Sequence, residues 1–165
     1  MVTIPLPNFD QIPVLLRAEC SNFKDGEYLS AGWVSQNNAI IVNIDSRNCR
    51  RWSGLYEELY DKLEFAYGNG YNKDALVDTL RDFDPDSYRC ALLLFKYGEA
   101  LLAGESRAEI DELFDILEKA DEFWHDAGRY MSWHAGKAFC IRSIFVLRGS
   151  DSRYLRLPDL RQLQR

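Results

Sequence analysis

The sequence predicts an α/β protein in which a small three-stranded parallel sheet is packed with helices and preceded by an N-terminal β-rich extension. Three near-continuous apolar runs, at 39–44, 90–95 and 138–147, have the pattern of strands that are buried on both faces. About 45 residues of mostly helical pattern separate each run from the next. Connections of this kind are typical of parallel crossovers, because a hairpin needs only a short turn.

The chain divides into three predicted segments. Residues 1–38 contain three early prolines, which interrupt any helix there, and are expected to form short strands and turns. Asp25 and Gly26 form a candidate hairpin turn within this extension. We expect the α/β domain to cover 39–148 and a basic C-terminal tail to cover 149–165.

Two helices are predicted from end signals and apolar spacing. Ser53 is a candidate N-cap for the first. Its apolar positions recur at helical spacing, at Leu55, Leu59 and Leu63. Ser106 and Glu109 have the spacing of a capping box before a longer helix, whose wide apolar stripe is typical of a helix that packs on a sheet.

A third, short helix follows a loop within residues 67–83. The loop holds two glycines and two asparagines, which tolerate left-handed backbone, and Asn72 is a good N-cap. The predicted apolar face consists of Ala75, Leu76 and Leu80. Asp74 and Asp78 lie one turn apart on the opposite side, where like charges repel modestly and add little to helix stability.

Three interpretations of these acids follow from the residues alone. Tyr67 and Tyr71 could flank them with flat, rigid contact surface, and an anionic ridge with aromatic neighbours suits a basic protein partner. A solvated helix face is the ordinary behaviour of surface charge. Metal binding by Asp74, Asp78 and Glu118 is the third, although these side chains lack rigid partners.

A spaced pattern joins the loop, the cap, the apolar face and both acids. It reads Gly70-x-Asn72-x-Asp74-Ala75-Leu76-x-Asp78-x-Leu80, with an aromatic residue at Phe83. This pattern resembles the barstar family of ribonuclease inhibitors and toxin immunity proteins. The predicted order of elements agrees with that family, since a helix precedes the pattern and a strand, a long helix and a final strand follow. The resemblance covers roughly 39–148 and implies a barstar-like fold.

The resemblance also implies a site for a protein partner. Asp78 would be the main mimic of a substrate phosphate, with Asp74 beside it, while the loop shapes the approach. The implied partner-binding residues are Tyr67, Gly70, Tyr71, Asn72, Asp74, Val77, Asp78, Phe83 and Glu118. Lys119 fits the register of Glu118 equally well. Val77 stands where the family has an aromatic residue, which points to a nuclease with a differently shaped cleft.

The leading hypothesis is therefore an immunity protein that binds and inhibits a toxin ribonuclease one-to-one, by inserting its acidic helix and loop into the cationic active site. A structural or regulatory interaction module with a non-nuclease partner is the alternative. A third hypothesis is an enzyme that uses Asp74 and Asp78, which would need a cleft and a raised carboxyl pKa.

Composition limits the partners and the compartment. A net charge of −6 argues against a general nucleic-acid binder, whose surface is normally basic. The acidity lies in 1–147, because residues 148–165 hold five arginines against two aspartates. Residues 1–13 lack the basic start of a signal peptide, and the apolar runs are too short to span a bilayer. We expect a cytoplasmic protein that binds neither nucleic acid nor membrane.

Catalytic and metal-binding motifs are also lacking. The cysteines at 20, 49, 90 and 140 include no CxxC pair, so neither a disulfide framework nor a zinc site is expected. His125 and His134 have no glutamate at metalloprotease spacing. An acidic run that begins at Asp82 lacks the glycine and final glutamate of a calcium loop. We expect no enzyme activity, no cofactor and no metal.

Overall fold

The computed structural model describes residues 13–19, 38–65, 70–82, 88–130, 139–160 and 162. Within them the chain forms β1 (Leu15–Glu19), β2 (Ala39–Asp45), α1 (Trp52–Lys62), α2 (Lys73–Arg81), β3 (Cys90–Lys96), α3 (Arg107–Tyr130) and β4 (Cys140–Leu147). Short 3-10 turns occupy Gly98–Ala100 and Ser152–Tyr154. None of the helices in this part of the chain is both long and apolar enough to cross a membrane.

The four strands form one sheet in the order β1-β4-β3-β2, and each neighbouring pair is parallel. The predicted α/β class with a parallel sheet is confirmed, but the prediction of three strands is wrong by one. The fourth is β1, which runs beside β4 with Leu15 opposite Ser143 and Glu19 opposite Leu147. Its apolar residues alternate with Arg17 and Glu19, so β1 lacks the continuous run that marked the other strands. The candidate hairpin turn at 25–26 lies outside the described residues.

The three helices pack on one face of the sheet and form the larger part of the core. Buried leucines of α1 and α2 join strand residues such as Leu93, Phe95 and Phe145 in a single cluster. The opposite face of the sheet forms a second buried cluster that includes Leu92, Leu94 and Ile144. The central strands are therefore buried on both faces, as their uninterrupted apolar pattern predicts.

The start of α1 differs from the prediction. Its N-cap residue is Arg51, without a side-chain cap, and Ser53 lies inside the first turn. Gly54 explains why the helix begins there. A Cβ at this position would come within 2.1 Å of the Asn48 carbonyl oxygen, so the first turn is seated directly on the preceding backbone. The beginning of α1 is fixed by this close packing and by Glu105, whose Oε1 accepts a 3.4 Å hydrogen bond from the Trp52 backbone N–H.

The C-terminal residues pack against the sheet. Tyr154 and Leu160 are buried, and the Tyr154 hydroxyl donates a 2.5 Å hydrogen bond to the Gly98 carbonyl oxygen. At the edge of the sheet that β1 forms, Arg17 donates from Nε to the Leu157 carbonyl oxygen at 3.1 Å. The division at 38 and 148 stays a prediction, but β1 and the tail share the sheet and its core with the central segment.

Candidate functional site

The loop and cap before α2 hold the helix in a defined position. The Asn72 Oδ1 accepts a 2.8 Å hydrogen bond from the Ala75 backbone N–H, which confirms the predicted N-cap. Gly70 has a φ of +85°, a conformation that L side chains rarely adopt. Its carbonyl oxygen accepts a 2.8 Å hydrogen bond from the Tyr60 hydroxyl, so the loop is tied to α1.

The inner side of α2 is fixed on the core and on α3. Leu76, Thr79 and Leu80 are buried. The indole Nε1 of Trp124, on α3, donates a 3.0 Å hydrogen bond to the Leu80 carbonyl oxygen, one of the last-turn carbonyls that a helix leaves unpaired. The Arg81 guanidinium lies 5.3 Å from the centre of the Phe123 ring. α2 is therefore held at both ends.

The outer side of α2 carries Asp74 and Asp78, both exposed. Neither carboxylate makes a hydrogen bond or an ion pair with another described residue. Other aspartates in the same part of the chain are paired, as Asp45 is with Arg47 at 2.6 Å and Asp151 with Arg153 at 2.8 Å. The two acids of α2 are thus held on a fixed helix, and no residue that the structure describes pairs with them.

Lys73, which directly precedes Asp74, is directed to α3. Its ammonium group contacts the carboxylates of Glu109, at 2.7 Å, and of Glu112. It also lies 4.9 Å from the centre of the Trp52 ring, and Trp52 Nε1 donates to Glu109 Oε2 at 2.6 Å. The two carboxylates raise the pKa of Lys73, and the bonds from Lys73 and Trp52 lower the pKa of Glu109. The Lys73 charge is therefore engaged by these glutamates.

An aromatic row on α1 borders the acidic helix, and the sequence analysis missed it. Trp52 and Tyr56 stack with ring centres 5.6 Å apart, and Tyr60 continues the row one turn on. Tyr71 lies 5.6 Å from Tyr60 and 6.2 Å from Tyr56, yet 54% of its surface is exposed. The spacing of four residues along α1 was the signal in the sequence.

Two open clefts lie along this row and share Glu57 and Tyr71. The first encloses about 800 Å³ and is lined by Trp52, Ser53, Tyr56, Glu57, Tyr71, Asn72, Lys73, Asp74 and Glu112. The second encloses about 610 Å³ and is lined by Asn48, Gly54, Glu57, Glu58, Asp61 and Tyr71. We call them the first and the second cleft. Acidic side chains predominate among the charged residues of both.

A comparison with protein families gives the assignment of the chain. The family described as barstar (barnase inhibitor) matches residues 39–135, more than half of the sequence. The chain belongs to the barstar family. The match begins at β2 and ends before β4, so it contains α1, α2, β3 and all of α3. A search of curated proteins found no match to the chain.

The barstar resemblance implied a contact for Glu118 on α3, and this contact stays a prediction. Glu118 and Lys119 border a separate groove with Val14 and Asp121, beside β1. The α3 acid that lines the first cleft with Asp74 is Glu112. Which side of α3 faces α2 depends on the packing of the two helices, and the sequence alone does not determine it.

The groove beside Glu118 contains a buried ion pair. Asp121 accepts a 2.9 Å hydrogen bond from the Ile141 backbone N–H and contacts the Arg142 guanidinium. Burial raises the pKa of Asp121, although Arg142 opposes this effect. The pair joins α3 to the beginning of β4, which gives Asp121 a structural role.

The other members of the predicted barstar-type site are placed as follows. Val77 is half-buried and packs against the core. Tyr67 and Phe83 lie outside the described residues.

The two histidines were not part of that site. His134 lies outside the described residues, and His125 is exposed on α3. No group of three or more potential metal ligands occurs within the described ranges. The predicted site as a set stays a prediction.

Proposed function

We propose that this member of the barstar family is a bacterial immunity protein that binds a toxin ribonuclease in the cytoplasm, one-to-one, and blocks its active site. α2 and the loop before it would enter the cationic cleft of the nuclease. The inhibitor would neither turn over nor need a cofactor. Asp78 and Asp74 would occupy the positions that substrate phosphates take, and Tyr71 would contact the rim.

One observation carries the proposal: two exposed carboxylates, without a partner among the described residues, lie on a helix whose inner side is fixed on the core. Asp74 and Asp78 project from α2, while Asn72 and Trp124 hold its two ends. Such a helix would lose little conformational freedom on binding, which favours affinity. Two carboxylates one turn apart repel each other and destabilise the helix slightly. A cation from a partner would relieve this repulsion, so it is the group that these acids suit best.

The chemistry of a nuclease active site matches these groups. A site that binds a phosphate backbone is cationic, and carboxylates can replace phosphates against arginine and lysine. Charge-assisted hydrogen bonds in a desolvated pocket are strong, and interface hot spots are commonly of this kind. The net charge of −6 would also accelerate encounter with a basic enzyme, an effect that salt weakens.

Inhibition of purified nucleases tests the proposal. Wild-type protein and the Asp78→Ala variant are titrated against barnase and against any ribonuclease whose gene adjoins that of this protein, and RNA cleavage is followed. We expect wild type to abolish the activity of one of these enzymes at a one-to-one ratio. Loss of Asp78 should weaken inhibition by at least about 30-fold, as for a hot-spot residue.

The matched control is Glu122→Ala, which removes an exposed acid of α3 that lies outside both clefts. It should inhibit like wild type. The unfolding midpoints of Asp78→Ala and Glu122→Ala should both match the wild-type value. Equal inhibition by wild type and Asp78→Ala would move the interface away from α2. If wild type inhibited neither enzyme at micromolar concentration, the immunity function would be refuted.

A further inference from the structure

The first and second clefts adjoin on α1, and the first also includes Asp74 of the acidic face of α2. Glu57 and Tyr71 line both. Asp74 and Glu112 add negative charge to the first, and the second has further acids of its own. Lys73 is the only cationic side chain among the described residues that line either cleft. The surface therefore extends the negative charge of α2 across Tyr71.

The walls of the first cleft have the composition of a cation-binding site. Trp52 and Tyr56 stack at 5.6 Å with their planes 28° apart, and Tyr71 lies 6.2 Å from Tyr56. Aromatic faces attract cations through their quadrupole, and nearby carboxylates add hydrogen-bond acceptors. The cleft combines both features within a space of about 800 Å³.

The protein itself places a cation in these surroundings. The Lys73 ammonium lies over the Trp52 ring at 4.9 Å and contacts the carboxylates of Glu109 and Glu112. An aromatic face and two carboxylates thus already bind one positive group at the wall of the first cleft. This internal example indicates that an aromatic face and carboxylates at this wall accept a cation.

Glu57 leaves the cleft with uncompensated negative charge. Its side chain is exposed, and it makes no hydrogen bond or ion pair with any residue in the described part of the chain. Lys73 does not supply the missing charge, because Glu109 and Glu112 engage it. A cation from a partner could therefore contact both the aromatic wall of the first cleft and the Glu57 carboxylate.

We propose that these clefts bind an arginine side chain of the nuclease, with Glu57 as its carboxylate partner. The partner named here rests on the proposed function. A guanidinium can stack its flat face on the exposed Tyr71 ring while its in-plane donors form a bidentate pair with Glu57, a geometry that the compact lysine ammonium lacks. The interface would then cross Tyr71 from α2 onto α1, and Glu57 would help to determine which nuclease is recognised.

A titration of the free protein tests the cleft without any nuclease. The probe is Nα-acetyl-arginine methylamide, compared with its neutral citrulline analogue and with the lysine analogue, and the readout is the NMR shift of the Trp52 indole N–H and the Tyr71 amide. We expect saturable shifts with a dissociation constant of roughly 1–10 mM for the arginine probe, typical of so small a ligand. The Glu57→Gln variant should bind about three- to fivefold more weakly, as for an exposed ion pair.

The Glu122→Ala variant should bind the arginine probe like wild type, because Glu122 does not line either cleft. Equal binding of the citrulline or lysine analogue, an unchanged affinity in Glu57→Gln, or shifts confined to the groove beside Glu118 would each overturn the inference. Failure of the protein to inhibit any nuclease, with arginine binding intact, would refute the proposed function alone. Inhibition of a nuclease without binding of the arginine probe would refute only the arginine site in the clefts.

Discussion

Removal of the Asn72 side chain should lower the free energy of unfolding, because α2 loses its N-cap. In Asn72→Ala the Ala75 N–H loses its 2.8 Å acceptor at the beginning of α2. Asn72 is exposed, so water can replace part of this bond, and the expected loss is about 1 kcal/mol, in the middle of the range for N-caps. For a chain of this size that corresponds to a fall in Tm of about 3 °C.

Urea unfolding followed by circular dichroism measures this loss. The midpoint should fall by about 0.5 M with an unchanged slope, since the surface exposed on unfolding stays the same. The matched variant is Asn72→Asp, which keeps the acceptor and adds a charge that the helix N-terminus favours, so its stability should equal that of wild type. A wild-type midpoint for the alanine variant, or an equal loss in both variants, would refute the assigned cap.

Three further predictions concern buried groups. Trp124→Phe should lower the free energy of unfolding by about 2 kcal/mol, because the Leu80 carbonyl loses its buried donor and a cavity remains, and urea unfolding would show this. Burial raises the pKa of Asp121 above its ordinary value of 3.8, so its contribution to stability is largest below that pH and falls as pH rises through the folded-state pKa. Unfolding at several pH values should therefore show Asp121→Asn gaining stability relative to wild type as pH rises above about 3.8. Burial raises the pKa of the Cys49 thiol to about 12, so peptide mass spectrometry should find it unmodified after iodoacetamide treatment of native protein at neutral pH and modified in urea.

A strand could be predicted only where the burial of its residues produces a continuous apolar run in the sequence. β2, β3 and β4 appear as near-continuous apolar runs, because nearly all residues of β3 and β4 are buried and only one residue of β2 is exposed. β1 has five residues and places Arg17 and Glu19 among apolar ones, so its pattern is also that of an ordinary extended segment. Its place in the sheet depends on pairing with β4 and on the contact of Arg17 with the tail, both separated by more than a hundred residues in sequence.

The same distinction between local and long-range effects applies to the site. Asn72, Asp74 and Asp78 could be predicted because a cap and a helix face depend only on neighbours within about one turn. Glu112 could not, because its position beside Asp74 depends on which side of α3 packs against α2.

The ion pairs of Lys73 also depend on helix packing. In the sequence it is a cation beside Asp74, which suggests partial neutralisation of the acidic helix. In the folded protein Glu109 and Glu112 engage it, and the neighbouring Arg81 guanidinium lies over the Phe123 ring. Packing thus engages the cations of α2 elsewhere, and its outer acids have no cationic partner in the described part of the chain, which is the condition that a cation-binding surface requires.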